Sequence, residues 1–296
     1  MGRDLFEASD KVRSMYELAS KELGADIARL SFEGPAEELK RTRFTQPAIL
    51  LHALAVLTLL DRDVPRFDYA CGHSLGEYAA LAVTGAMTFD DAIRAVVRRA
   101  TLMEQACRQN PGTMAAIMGL GQEQVEDICQ RASSKGVVIP ANFNSKIQIA
   151  ISGAIPSVEE AVTLAREAKA KRAVMLEVGG AFHSPLMEPA KVGLAHFLES
   201  LPIAPPRVPV VANVTAQAVL EADDIRRLLV EQVTGPVRWF QTMNYLSGAG
   251  VTRIIEVGPG KVLSGLARRD MQLEHILNLD TLTDIENFRA LSGSKG

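Results

Sequence analysis

The sequence predicts an α/β protein in which a small second unit is inserted into a larger one. Three observations carry that prediction. Strand-like runs alternate with helical ones in both outer parts of the chain, at "FDYACG" (67–72), "VPVVANV" (208–214), "RIIEVG" (253–258) and "HILNLD" (275–280). Such alternation is how a chain builds a mainly parallel sheet with helices on both faces. The middle breaks the rhythm and reads strand, helix, strand, strand, helix, strand, the order of a ferredoxin-like unit. Finally, 296 residues at 47% hydrophobic and 23% charged suffice for a large core with a companion and are too apolar for disorder.

Taken in order, helical periodicity marks residues 10–23, 46–61, 75–84, 90–109, 223–232, 237–248, 260–269 and 282–292. The most apolar run, 48–60, is interrupted by His52 and reads as a buried helix too short to cross a bilayer, with Pro47 in its first turn after Thr45. In the middle, "TMAAIMGL", "GVVIPANF", "QIAISGA" and "RAVMLEV" are the strands; "QEQVEDICQRAS" and "SVEEAVTLAREAKA" are the helices. The insert is therefore placed at 112–178, with the large domain built from 1–111 and 179–296. A cleft between the two is the natural ligand site. The stretch "NFNSK" reads as a plain turn between the central strands, with reach into the cleft as the alternative.

Composition also excludes classes of function. A net charge of −3 gives no strong field for nucleic acid or an anionic membrane. Cys71, Cys107 and Cys129 have no spacing suited to a disulfide framework or a zinc site, so no metal is expected. The start "MGRDLFEASDKVRS" has no apolar core behind a basic end. A soluble protein of the reducing cytoplasm is the expectation.

The stretch "YACGHSLGEYAALAVTG" contains Gly72-His73-Ser74-Leu75-Gly76 between a strand-like and a helical segment. This is the layout of a nucleophile elbow, in which the strand turns sharply into a helix and side chains at the two glycine positions are expected to clash. The elbow presents the serine at the carboxyl edge of the sheet, where the helix N-terminus favours developing negative charge. A capping serine in an ordinary turn is the competing reading. A serine needs a base, and five histidines are available. His52, His196 and His275 read as structural, and His73 points elsewhere in an elbow. His183, in "VGGAFHSPLM", lies on a loop at a strand's carboxyl end, on the same edge as Ser74. It is the expected base, against a capping or packing role.

With these residues in view, "GHSLGEY", "NFNS", "GAFHSPLM", "NVT", "GPVRW" and "EVGPGKVLSGL" occur in order over almost the whole chain. Together they resemble the malonyl-CoA:acyl carrier protein transacylases of fatty acid synthesis and the acyltransferases of polyketide synthesis. The resemblance implies an α/β-hydrolase-like large domain with a ferredoxin-like insert. It further implies a Ser-His dyad passing malonyl from coenzyme A to the phosphopantetheine thiol of acyl carrier protein, in a monomer, with coenzyme A present only as part of the substrate and no other cofactor. By matching position, Ser74 resembles the nucleophile and His183 the base. The main-chain carbonyl that matches at Gln232 would orient the histidine, and Leu75 would supply an oxyanion N–H. Phe182, just before the histidine, would crowd the malonyl α-carbon and disfavour a methyl branch by about 1–3 kcal/mol. The family pattern also has an apolar strand, a "GQGSQ" loop and a "GMG" segment ahead of the region where this sequence starts. Given the intact remaining motifs, a misassigned start is the expected reason.

The family's carboxylate-binding arginine falls in "AIRAVVRRATLM", which offers Arg98 and Arg99. Helical spacing separates them. Arg98 shares its stripe with Asp91 and Arg94, whereas Arg99 shares its own with Ala92, Val96 and Met103. An inward arginine must find an anion, either a substrate carboxylate or an internal salt bridge. The malonyl carboxylate is the expected partner of Arg99. A serine esterase or thioesterase would share Ser74 and His183 without needing that arginine, and an inactive, shortened relative is the third reading.

Overall fold

The structure, a computed structural model, describes residues 1–293. Short helices α1 (Arg3–Glu7) and α3 (Ile27–Glu33) pack against α2 (Asp10–Leu23), which runs over the expected residues, and α4 (Ala36–Leu39) follows against α3. Gly24 ends α2 in the left-handed region (φ 63°), and Ala25 N–H closes the turn on Ser20 O at 3.2 Å. Helix α5 (Thr42–Leu60) starts earlier than its pattern suggests, so Pro47 lies in the second turn, where it forfeits one i→i−4 bond. By length and composition α5 could cross a membrane, but most of it is enclosed by the core. Next come α6 (Gly76–Val83) and α7 (Phe89–Gln109), the latter capped by Thr88, whose hydroxyl accepts from Asp91 N–H at 3.1 Å.

The middle of the chain follows the expected order: β1 (Thr113–Met118), α8 (Gln122–Ala132), β2 (Val138–Ser145), β3 (Gln148–Gly153), α9 (Ile155–Glu167) and β4 (Arg172–Met175). Its four strands form one antiparallel sheet in the order β2-β3-β1-β4. "NFNS" is not a turn, as expected, but the end of β2. Its pairing with β3 shifts register between Pro140 and Asn142 and between Phe143 and Ser145, while its other edge bonds to Val237: Phe143 N–H donates to Val237 O at 2.9 Å and Val237 N–H to Ala141 O at 2.8 Å. Those two bonds stitch the sheet to the rest of the molecule.

The chain continues through α10 (Glu188–Ser200), β5 (Val210–Val211), β6 (Ala218–Val219), α11 (Ala222–Gln232), α12 (Trp239–Gly248), β7 (Arg253–Val257), α13 (Val262–Asp270), β8 (His275–Leu279) and α14 (Leu282–Gly293). Here the parallel sheet is sparser than the sequence suggests. β7 and β8 pair in parallel, β5 and β6 antiparallel, and 67–72 contributes a single parallel bridge, Ala70 to Val210. Its alternation is strand-like, but a strand also needs a ladder of partners, and among the described residues this segment's main-chain to main-chain bonds go to Pro209 and Val211 around that bridge.

Burial divides along the same line. One core joins α2, α5, α6, α7 and α10 around residues such as Leu51, Leu54, Tyr78 and Val96. A separate one, including Ile117, Ile128, Phe143, Ile151 and Val158, lies wholly within residues 115–173. Phe182 packs against the first and also against a small cluster of Met114, Ala141 and Ala150, so it sits between that core and the antiparallel sheet.

Candidate active site

The turn between 67–72 and α6 holds Ser74 at φ 51°, a conformation that costs a non-glycine residue about 1–3 kcal/mol and must be held by its surroundings. Gly72 is required there, because a Cβ would stand 2.1 Å from the Gly76 carbonyl group. Gly76 is not: a Cβ there meets nothing within 4 Å outside its own helix. The expectation of a clash thus holds for the first glycine and fails for the second. Asn213 clamps the turn from outside. Its Oδ1 accepts from Ser74 N–H at 2.6 Å, and its Nδ2 donates to Gly72 O at 2.7 Å.

His183 also has a positive φ, 57°, on the loop between β4 and α10, and is only 4% exposed. Ser184 caps the turn that follows, accepting from Leu186 N–H at 3.3 Å. The imidazole Nε2 lies 2.9 Å from Ser74 Oγ, and Nδ1 lies 2.8 Å from the main-chain O of Gln232, at the end of α11. A carbonyl can only accept, so Nδ1 carries the proton and Nε2 is free to take one from the serine. Burial, reinforced by the Arg99 charge, pushes the imidazole down to about 3, so it stays neutral in ordinary buffers.

Arg99 does lie on the buried stripe of α7, at 1% exposure, while Arg98 is exposed. Its Nη2 donates to Ser74 Oγ at 2.9 Å and to Gln232 Oε1 at 3.0 Å, and its Nη1 to Gln46 Oε1. Because the guanidinium donates to Oγ, the serine's own hydrogen is left to point at His183. Arg99 Nε has no acceptor among the described residues. Burial lowers the guanidinium from its ordinary value, with Tyr78 and Glu77 opposing, but arginine remains charged from so high a starting point. Serine, imidazole and guanidinium, 25 and 109 residues from one another in sequence, therefore share one oxygen atom.

The other expected residues fall around these. Leu75 precedes the first turn of α6, and no acceptor for its N–H occurs among the described residues. Phe182 stands beside the histidine, packed against Met114, Ala141 and Ala150. His73 turns away from the serine, with Nε2 2.8 Å from Asn144 Oδ1 and its ring 5.6 Å from that of Trp239. "NFNS" therefore does reach the site's edge. His52 is buried beside Asp280, 2.7 Å from its main-chain O, and His196 and His275 are exposed.

Four participants were not anticipated: Gln46, Glu77, Asn144 and Asn213. Each lies in a stretch that carried some signal, as a polar residue in an apolar helix (Gln46) or inside "GHSLGEY", "NFNS" and "NVT". Glu77 is the most unusual, a carboxylate 3% exposed whose Oε2 accepts from Asn213 N–H at 3.1 Å and Gln232 Nε2 at 2.7 Å. Burial pushes it up to about 7, although both hydrogen bonds and the Arg99 charge favour its ionised form.

Comparison with known proteins places this geometry. Residues 1–275 match the acyl transferase domain. The chain is 42% identical over 270 residues to the malonyl CoA-acyl carrier protein transacylase of Bacillus subtilis (strain 168), covering 91% of this chain and 85% of that one. Its fold superposes with a TM-score of 0.93 on the crystal structure of acyl-carrier-protein-S-malonyltransferase from Bartonella henselae, at 37% identity and over 99% and 95% of the two chains. A type II PKS acyl-carrier protein in complex with its malonyl-transacylase matches with a TM-score of 0.91, at 36% identity over 97% and 94%. A domain match across most of the sequence, and relatives this similar over this much of their length, make the chain a member of the acyl transferase family.

Proposed function

We propose that this protein transfers a malonyl group from coenzyme A to the phosphopantetheine thiol of acyl carrier protein through a malonyl-Ser74 intermediate. The observation that carries this reading is the convergence on Ser74 Oγ of a neutral imidazole and a buried guanidinium, each at 2.9 Å. Hydrolysis of a simple ester needs the first and has no use for the second. A malonyl thioester, with its free carboxylate, uses both.

In this mechanism Ser74 Oγ attacks the thioester carbonyl while His183 Nε2 takes the hydroxyl proton. The Leu75 N–H faces the developing oxyanion. Collapse expels the coenzyme A sulfur, which takes the proton from His183. Acylation turns Oγ into an ester oxygen, and Arg99 exchanges its bond to Ser74 for the malonyl carboxylate, with the unclaimed Nε as a further donor. The carrier thiol then gives its proton to His183 and attacks the ester, and Ser74 recovers the proton as the malonyl group departs. Gln232 holds the imidazole throughout, and Phe182 crowds the α-carbon. Nucleophile, base and hydrogen-bond donors suffice for acyl exchange, so no metal or other cofactor is called on.

We read the architecture as an α/β-hydrolase-like domain, 1–111 and 179–296, with a ferredoxin-like insert, 112–178. The β2-β3-β1-β4 order and the separate core within 115–173 support it. Because one chain supplies every group in the mechanism, a monomer is the working unit, and the three free cysteines suit a cytoplasmic location.

Incubation with radiolabelled malonyl-CoA tests the function, with and without a phosphopantetheinylated carrier. Label is expected on Ser74 first and on the carrier thiol afterwards, and none on a Ser74→Ala variant. Label released only as free malonate would establish a hydrolase instead.

A further inference from the structure

We propose that Glu77 is a positioning residue that sets the Gln232 side-chain amide and, through it, holds the Ser74 elbow, the histidine-bearing contact and the Arg99 fork in register. This rests on the reading of Ser74 as the acyl-accepting nucleophile.

The argument starts from valence. The Gln232 amide has two N–H groups and one oxygen, and all are committed. Nε2 donates to Ser74 O at 3.0 Å and to Glu77 Oε2 at 2.7 Å, while Oε1 accepts from Arg99 Nη2 at 3.0 Å. Turned over, the amide would aim its NH2 group at the guanidinium and its oxygen at two acceptors. Arg99 and Ser74 O already favour the observed orientation, and Glu77 adds a second acceptor that only an N–H pointing its way can satisfy. The same oxygen takes Asn213 N–H, and Asn213 clamps Ser74 N–H and Gly72 O. One carboxylate oxygen therefore commands both groups that keep Ser74 at its positive φ. The main chain of Gln232 carries the carbonyl that fixes His183, so nucleophile and base are referred to a common point.

Charge placement adds to this. Arg99 and Glu77 are both buried, and the amide of Gln232 stands between them, so the guanidinium has a nearby counter-charge without a direct ion pair. A direct carboxylate on Arg99 would occupy the fork that a substrate carboxylate needs. At one amide's remove, the ionised form of Glu77 offsets part of the cost of the buried guanidinium, and Nε stays unclaimed.

Burst acylation of Ser74 tests the proposal with two donors, malonyl-CoA and p-nitrophenyl acetate. Glu77→Ala is expected to lower kcat about 10²-fold for both, with KM for p-nitrophenyl acetate nearly unchanged. Glu77→Gln keeps an oxygen where Oε2 stands and is expected to recover most of the loss. Added to Gln232→Leu, which keeps the main-chain carbonyl, Glu77→Ala is expected to cost clearly less than it does alone, the remainder being its separate bond from Asn213 N–H. Additive losses would overturn the proposal, and so would a Glu77→Gln enzyme as slow as Glu77→Ala. Where Glu77→Ala does not fold, Glu77→Gln against wild type decides: a 10²-fold loss in the isosteric variant overturns it, and near-wild-type kcat supports it. Wild-type protein that reacts with the acetate ester and not with malonyl-CoA would sink the functional reading while leaving this test intact.

Discussion

Replacing Arg99 with alanine should separate malonyl from acetyl transfer, and the structure says by how much. The guanidinium now donates to Ser74 Oγ, Gln232 Oε1 and Gln46 Oε1, and Nε is unclaimed. A malonyl carboxylate that takes Nε and exchanges for the bond to Ser74 gains one charge-assisted bond net, about 1.5–3 kcal/mol. At about 1.4 kcal/mol per tenfold, its loss lowers kcat/KM for malonyl-CoA by roughly 10–10². Acetyl-CoA has no carboxylate and shares only the loss of the Ser74 contact and any loosening of the site. The ratio of the two rates is therefore the measurement, taken by rapid quench and mass analysis of the Ser74 adduct. Arg99→Gln controls for the acceptors on Gln46 and Gln232 that alanine leaves facing a cavity. A malonyl-to-acetyl ratio unchanged from wild type would refute the carboxylate role.

Further outcomes follow from the same geometry. Gly72→Ala should abolish the elbow, with no adduct on Ser74 and a lowered Tm, whereas Gly76→Ala should leave Tm within a few degrees of wild type, because only the first would press a Cβ onto backbone. The acid limb of kcat/KM for acylation should lie well below the ordinary histidine value of about 6.5, since His183 is held down to about 3, and Arg99→Ala should move that limb upward by removing a nearby positive charge. Unfolded His183 binds a proton near 6.5 that the folded form refuses until about 3. The His183 contribution to stability in urea should therefore be lost as pH drops through that window, read as the difference between wild type and His183→Gln. Glu77 has the opposite sign: folded, it keeps its proton from the ordinary value of 4.5 up to about 7. Its contribution is lost as pH rises through that range, and Glu77→Gln should gain on wild type across it in the same titration.

What the sequence discloses here depends on whether a feature is local. The elbow is local, because Gly72, Ser74 and the start of α6 lie within five residues. Arg99 was legible because a helix reports its buried face through spacing alone, and Ala92, Val96 and Met103 mark that face. The Gln232 carbonyl has no side-chain signature, and only the family resemblance pointed to it. Glu77 and Gln232 meet across 155 positions, and no pattern within either segment announces the pairing. The segments 67–72 and 208–214 show the limit from the other side. Their alternation is genuine, but how much of each becomes strand depends on the neighbours that can bond to it: they make a single bridge with each other, and 208–214 keeps only Val210–Val211 as strand.

The pair of main-chain bonds between β2 and Val237 has a mechanical consequence. They are joined by the side-chain bonds of Asn144 with His73, Gln122 with Gln241 and Gln148 with Arg269. Swinging the antiparallel sheet away from the rest of the molecule as a flap would break this set together. For the transfer proposed above, a pantetheine arm would have to thread its own way to Ser74, without a closing door.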